Sequence, residues 1–241
     1  MLPKHFFFDL DNTLTPSKSL IEPAHVPILK QLSERADVIV VSGHGEADIR
    51  SHLTEALHSS FYTLGQNGNR AVTKDGTVLW NNSLTKEQRE AILAFIAKAR
   101  ASLNYVVRDE NDIIEDRDSQ IAFSLIGHHE DKAKKDAFDP RHEIRFKLLK
   151  DLASDVEALK NANVEVRIGG TTNLDFFEYG KNKGYNVNVF IEKMGWEKAD
   201  CIYIGDALFP GGNDETVVGV IETYAVKDYR ETYEYLEKML S

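Results

Sequence analysis

Two groups of acidic residues at opposite ends of the chain carry the chemistry that can be read from its residues. The first closes the run Phe6-Phe7-Phe8-Asp9-Leu10-Asp11-Asn12-Thr13-Leu14-Thr15. The second follows Cys201-Ile202-Tyr203-Ile204-Gly205-Asp206, where the turn Pro210-Gly211-Gly212 returns Asn213 and Asp214 towards Asp206. Continuous apolar runs of this length read as strands buried on both faces, as in the centre of a parallel sheet. Ligands bind such sheets at the carboxyl ends of their strands. Side chains two apart on an extended chain point the same way, so Asp9 and Asp11 are expected to face one crevice. Three or more oxygen ligands meeting at one sheet edge suit a hard octahedral cation such as Mg2+, which keeps waters for a phosphate. For either group alone, a solvated Asp/Asn turn is the competing reading.

The elements that must hold these residues alternate. Strand-like runs at 5–9, 37–41, 61–64, 201–204 and 223–226 are separated by helical apolar spacing at 20–35, 46–58, 186–194 and 229–239. That order implies βαβ units and a doubly wound, Rossmann-like parallel sheet of the α/β class. Residues 71–80, centred on Asp75-Gly76, read as a β-hairpin with a primed turn. The middle of the chain breaks the alternation. A helix is expected at 83–101, capped by Ser83 or Thr85, and a second long one at 141–161. Strands are expected at 105–108, 113–117, 120–126, 164–168 and 174–177, and the charged stretch 133–141 reads as an exposed loop. The expected organisation is therefore a core of 1–81 and 181–241 with an inserted α+β cap at 82–180.

The chain has 241 residues, enough for a large core with one insertion, and a formal net charge of −10, with 39 acids against 29 Lys and Arg. No basic footprint is present for nucleic acid or an anionic membrane, and neither is expected as a partner. A phosphate-bearing substrate remains open, because a metal and a few local cations override the global field. The single cysteine, Cys201, lies in a strand pattern and is expected to be a buried apolar residue, consistent with a reducing cytoplasmic setting. No secretion signal or membrane span is recognisable, which leaves the sequon Asn81-Asn82-Ser83 without a glycosylation role.

Asp9-Leu10-Asp11-Asn12-Thr13-Leu14-Thr15 resembles the Asp-x-Asp-x-Thr signature of the haloacid dehalogenase phosphotransferases. Val40-Val41-Ser42-Gly43 is similar to their second signature, Lys183-Gly184 to the third, and Gly205-Asp206 with Asn213-Asp214 to the fourth, all in the required order. Within the superfamily, the loop from Asp9 to Pro16 and the segment from Phe209 to Asp214 resemble the eukaryotic-type phosphomannomutases, which carry a subfamily IIB cap. So do Gln66-Asn67-Gly68 and the passage from Gly169-Gly170 to Asp175-Phe176-Phe177.

The resemblance implies Mg2+-dependent phosphoryl transfer, a reaction governed by positioning and charge neutralisation. Asp9 is then the nucleophile and Asp11 the general acid/base. Asp9, Asp206 and the Asp11 backbone carbonyl are the implied metal ligands, with Asn213 and Asp214 holding metal-bound water or the ligands themselves. Ser42 and the backbone at Gly43 are the implied phosphate donors, although a Ser-Gly pair alone reads equally as a turn. Lys183 is preferred to Lys181 as the neutralising cation, because Gly184 and an apolar helix follow it.

The cap is expected to choose the substrate, a phosphorylated sugar. Arg117 matches one cap arginine that clamps the distal phosphate, and Asn173 and Asp175 match positions that contact sugar hydroxyls or the incoming phosphate. His128 and Lys135 stand where the family has further arginines, and Lys18 stands in place of an arginine after Thr15-Pro16. Positive charge is kept there but the bidentate fork is lost. The same core residues serve a phosphomannomutase-like exchange between hexose 1- and 6-phosphates, a sugar-phosphate phosphatase, or a non-catalytic sugar-phosphate sensor. The family analogy implies a homodimer through the cap. Two other patterns are set aside. His128-His129 would point to opposite faces of a strand, and Gly65-Gln66-Asn67-Gly68 lacks the third glycine of a nucleotide loop.

Overall fold

The structure, a computed structural model, describes residues 2–241. Its strands and helices in chain order are β1 (His5–Phe8), α1 (Val26–Ser33), β2 (Asp37–Val41), α2 (Glu46–His52), β3 (Phe61–Gly65), β4 (Arg70–Val72) and β5 (Val78–Asn81). There follow α3 (Lys86–Ser102), β6 (Ile114–Asp116), β7 (Gln120–Ser124), α4 (Lys132–Phe138), α5 (Glu143–Asp151), α6 (Ala153–Asn161), β8 (Val164–Gly169) and β9 (Asn173–Glu178). The chain closes with α7 (Lys183–Met194), β10 (Cys201–Gly205), β11 (Glu222–Ala225) and α8 (Tyr229–Leu240). It divides into two compact units, one made of the chain up to Asn81 with Lys181–Ser241, the other of Asn82–Gly180.

The first unit is built on one sheet in the order β11-β10-β1-β2-β3-β4-β5. The strands from β11 to β3 run parallel, and β4 and β5 add an antiparallel hairpin at the edge. Period-two alternation sorts their side chains into two cores. Phe6, Phe8, Val38, Val40, Ile202 and Ile204 face α1, α2 and α8, while Phe7, Ile39, Val41 and Tyr203 face α7. All three phenylalanines are fully buried, each contributing roughly 1.5–3 kcal/mol of transfer free energy. This is why the run reads as continuously apolar. Cys201 is buried, as its strand pattern implies.

Helix boundaries in this unit depart from apolar spacing for local reasons. The segment before α1 forms turns, and the helix begins with a proline in its first turn, where the missing N–H costs nothing. The expected helix 46–58 stops at His52, because Leu53 is extended, and resumes as a short 3-10 turn at Glu55–Leu57. Helix α7 starts earlier than its apolar pattern, at Lys183, because the Asn182 side chain accepts from Tyr185 N at 3.1 Å and caps it. In the hairpin only Gly76 takes a positive φ, of 88°, so a wider Thr73–Thr77 loop replaces the expected primed turn.

The second unit is a four-stranded antiparallel sheet in the order β6-β7-β9-β8, with α3 and α6 packed together over one face. Its core joins Ile92, Phe95 and Ile96 of α3 to Ile121, Phe123, Leu174 and Phe176. A capping box at Thr85 and Gln88 starts α3. Three expectations are corrected here. Residues 105–108 form no strand, since this segment is held by burying Val107 and by the Tyr105 ring against Phe138 at 5.2 Å. The long helix at 141–161 is two helices, because Leu152 leaves helical geometry (φ −101°, ψ 28°). The stretch 133–141 is largely helix α4, capped by Asp131, and Lys135 within it is buried.

One fully buried side chain, Arg145, ties this unit together. Its Nε donates to Asp139 Oδ2 at 2.7 Å, and its Nη1 donates to the carbonyls of Gly169 (2.9 Å), Gly170 (2.9 Å) and Asn173 (3.2 Å). The guanidinium thus joins α5 to the turn between β8 and β9. Among the described residues no helix is long and apolar enough to cross a membrane. Replacing Arg145 by Met leaves the Asp139 carboxylate buried without its cation, so Arg145→Met is expected to cost about 3–5 kcal/mol in urea unfolding. A loss below about 1 kcal/mol would contradict this role for the pair.

Candidate active site

The site forms where β1, β10 and β2 end together. Phe8 lies level with Ile204 on one side and with Val40 on the other, and Asp9 N donates to the Ile204 carbonyl at 3.0 Å. Asp9 therefore emerges beside Gly205 and Asp206 at the point where the strand order departs in both directions from β1. Asp206 is fixed by its N–H to Thr13 Oγ1 at 3.1 Å and by Asn12 Nδ2 to its Oδ2 at 3.4 Å. Asp214 folds back over the strand end through the glycine turn, its N–H reaching the Ala207 carbonyl at 3.2 Å. Only glycine fits at 205, because a Cβ there would stand 2.5 Å from Asp214 Oδ2.

Lys183 enters from α7. Gly184 lets that helix start against the turn at Thr216, whose carbonyl oxygen would lie 1.8 Å from an added Cβ. The Gly184 N–H donates to Thr216 Oγ1 at 3.1 Å. So anchored, Lys183 Nζ donates to Asp9 Oδ1 and to Asp214 Oδ1, each at 2.6 Å, with all three side chains buried. The Tyr203 hydroxyl, from the middle of β10, adds a third hydrogen bond to this arrangement, donating to Asp214 Oδ1 at 2.6 Å.

Asp9, Asp206 and Asp214 each offer an oxygen within 4.8 Å of the others. Asp9 and Asp214 are buried and Asp206 is partly so, and three carboxylates against one ammonium leave an excess of negative charge there. Burial, followed by the charges of its neighbours, pushes the Asp9 carboxyl well up against the pull of Lys183. Burial and the charge of Asp214 raise Asp206 to about 6. Burial opposes the charge on Lys183, yet Asp214 and Asp9 together hold its ammonium above the usual lysine value. All three directions report the same imbalance. A hard divalent cation is the group this oxygen donor set fits, and it would relieve that imbalance.

Asp11 stands apart from this acidic group in its partners. Its Oδ2 lies 2.8 Å from His44 Nε2, and its Oδ1 accepts the Lys18 backbone N–H at 2.5 Å. Burial alone would raise its carboxyl, but the hydrogen bond and charge of His44, the Lys18 N–H and the charge of His52 bring it down to about 2. The side chain of Lys18 is exposed. Ser42 is buried directly after β2, its Oγ accepting from His44 N at 3.2 Å, and Gly43 follows it. Asn213 is exposed at the turn, while its neighbour Asp214 is fully buried.

The remaining candidates belong to the second unit. Arg117 follows β6 and donates from Nη2 to Glu115 Oε2 at 2.6 Å. His128 is mostly buried, which lowers its pKa, and it sits 3.3 Å from the Ala122 carbonyl. Lys135 Nζ donates to the His128 carbonyl at 2.7 Å. Asn173 and Asp175 project from β9, and cross-strand register places Glu115, Ala122, Asp175 and Arg167 in one row on one face of the sheet. The residues that sequence reading did not single out are His44, Tyr203, Thr13 and Arg167. Only His44 left a trace, lying two residues past Ser42 at a strand end.

A family model described as haloacid dehalogenase-like hydrolase matches residues 6–214. The chain is 28% identical over 215 residues to a phosphomannomutase of Oryza sativa subsp. indica, covering 86% of this chain and 83% of the relative. It is 25% identical over 243 residues to phosphomannomutase 1 of Dictyostelium discoideum, covering 96% and 94%. Among solved structures, SMU.1108c of Streptococcus mutans UA159 superposes with a TM-score of 0.72 at 17% identity, covering 99% of each chain. An IMP-bound, N-terminally truncated IMP-nucleotidase of Plasmodium falciparum gives a TM-score of 0.70 at 16% identity, covering 99% of this chain and 68% of that one. These structural likenesses bear on the fold.

The charge imbalance has a measurable consequence. Lys183→Met removes the ammonium and leaves the carboxylates uncompensated, which is expected to cost about 3–5 kcal/mol at pH 8. The carboxyls at Asp9 and Asp206 titrate above their unfolded values, so the folded state binds protons more tightly as pH falls through about 6. Stability of the variant should therefore recover between pH 8 and pH 5 in thermal unfolding. A loss of equal size at both pH values would contradict this account.

Proposed function

The chain belongs to the haloacid dehalogenase-like hydrolase family and is an enzyme of the phosphotransferase or phosphatase kind, and from that premise we propose that it transfers a phosphoryl group from a phosphorylated sugar through an aspartyl-phosphate on Asp9. The observation that carries this reading is the Lys183 ammonium held at 2.6 Å between Asp9 and Asp214, with Asp206 beside them. In the first half-reaction Asp9 attacks phosphorus, the bond from phosphorus to the leaving oxygen breaks, and Asp11, ionised in the free site because His44 and Lys18 hold its carboxyl low, gives that oxygen a proton that it takes up from solvent when the phosphate dianion arrives beside it. In the second, Asp11 takes a proton from an incoming hydroxyl or water, which attacks phosphorus and frees Asp9. Ser42 Oγ and the backbone at Gly43 donate to the phosphoryl oxygens, and Lys183 neutralises charge on Asp9 as it approaches the dianion.

Asp9, Asp206 and the Asp11 backbone carbonyl would hold Mg2+, the cation that this hard oxygen set suits, and Asn213 and Asp214 would support its waters; the ion would supply charge screening between nucleophile and phosphate. The second unit, residues 82–180, is read as the cap that selects the sugar through Arg117, Asn173 and Asp175, with Lys18 contributing from the first loop. By the same family analogy the cap also mediates a homodimer. A hexose 1-phosphate/6-phosphate exchange of the phosphomannomutase type is the leading form of this reaction, supported by the names of the curated relatives. One observation favours simple hydrolysis instead. Lys135, at a position where the mutase resemblance implies a phosphate-clamping arginine, is buried and spends its ammonium on the carbonyl of His128.

Glucose 1-phosphate or mannose 1-phosphate with Mg2+ and a trace of hexose bisphosphate separates the two. Hexose 6-phosphate is the product expected of the leading form, and free phosphate alone supports hydrolysis; no turnover with tight binding would sink both. Asp9→Asn is expected to abolish turnover, and Asp11→Asn to slow it by roughly 10²–10⁴-fold while Mg2+ binding is kept. Calorimetric titration should show Mg2+ affinity rising between pH 5 and 7, because Asp206, raised to about 6, must shed its proton to bind. An affinity flat over that range would argue against Asp206 as a ligand.

A further inference from the structure

The carboxylate of Asp11 is held from two sides by groups that nothing in its motif accounts for. A carboxylate can only accept, so the 2.8 Å contact with His44 requires the hydrogen on Nε2, pointing at Oδ2. On the other side Lys18 turns its backbone N–H to Oδ1 at 2.5 Å by adopting a φ of 51°, a left-handed conformation unfavourable for any residue but glycine. One donor on each oxygen fixes the plane of the carboxylate as well as its position.

His44 is itself constrained, as a positioning group must be. Its N–H donates to Ser42 Oγ at 3.2 Å, and its carbonyl accepts from Gln66 N at 2.9 Å. Its ring meets the His52 ring edge-on, with centroids 5.3 Å apart and planes at 79°. The imidazole is only 20% exposed on its side chain. The strand end that supplies the phosphate-facing Ser42 thus also supplies, two residues on, the clamp for the acid/base.

We propose that His44 is a positioning residue for phosphoryl transfer, whose Nε2–H holds Asp11 Oδ2 so that the carboxyl meets the leaving oxygen in one orientation. The inference rests on the reading of Asp11 as general acid/base given above. Proton transfer depends steeply on such alignment, since a misplacement of about 1 Å can cost about 100-fold. The loss should also depend on how much the leaving group needs a proton, which a merely structural role would not produce.

The test compares kcat/KM, which for hydrolysis reads the steps up to release of the leaving group, on a hexose 6-phosphate and on p-nitrophenyl phosphate with Mg2+. The sugar must leave with a proton, whereas nitrophenolate leaves without one. His44→Ala is expected to lose roughly 10- to 100-fold on the sugar phosphate, a part of what a general acid supplies, and less than about 3-fold on the aryl ester. His44→Gln, whose Nε2 sits close to the imidazole Nε2 position, should restore most of the sugar-phosphate rate. Equal losses on both esters, no loss on either, or a Gln variant as impaired as the Ala variant would overturn the role of His44. A wild-type enzyme inert on both esters would overturn the reading of Asp11 and this inference together, and so is distinguishable from failure of the inference alone.

Discussion

A single buried ammonium organises the centre of this protein. Lys183 satisfies Asp9 and Asp214 at once, and none of these three groups could be buried without the others. The arrangement is still short of positive charge, because Asp206 shares the same small volume. Structural ion pairs usually balance. This one stops short of balance, at the carboxyl end of a central strand, and a group of three carboxylates there could hold a cation. Burial and the neighbouring carboxylates raise the Asp9 and Asp206 carboxyls, which is how the imbalance shows in their titration.

The fold follows from the need to hold that volume rigid. Asp9 sits at the end of a fully buried run of phenylalanines, between two parallel neighbours that cannot slip without turning side chains to the wrong face. Asp214 and Lys183 come from separate elements, yet each reaches the site through a glycine that allows close approach, Gly205 for the first and Gly184 for the second. The cost of this precision is paid in local conformations such as the positive φ of Asn12 and Lys18, both in the loop that carries Asp11.

Much of this was legible in the residues. The runs at Phe6–Phe8, Val38–Val41 and Ile202–Ile204 read as buried strands, and the acids that follow the first and the third, with Ser42 after the second, mark the ligand edge. Lys183 was distinguishable from Lys181 by the glycine and apolar helix behind it. What escaped the sequence is what depends on contacts between distant positions. Tyr203 reads as one more apolar strand residue, since nothing local says that its hydroxyl meets Asp214. His44 reads as part of a turn until β1 and β2 are placed side by side. Lys135 lies in a stretch that reads as an exposed loop, and Arg145 carries no signal of its own, yet each is buried against backbone carbonyls that only the folded chain brings to it. Periodicity also misjudged helix ends, because the Asn182 cap and the bend at Leu152 are set by individual hydrogen bonds and dihedral angles.

The central claim is that Asp9 forms a covalent bond to phosphorus inside this charge-deficient pocket. Brief reaction with a 32P-labelled sugar phosphate and Mg2+, an acid quench and peptide mapping address it directly. The account predicts a base-labile label on the peptide carrying Asp9 and on no other. Turnover that leaves no label there, or label recovered from a different peptide, would contradict it.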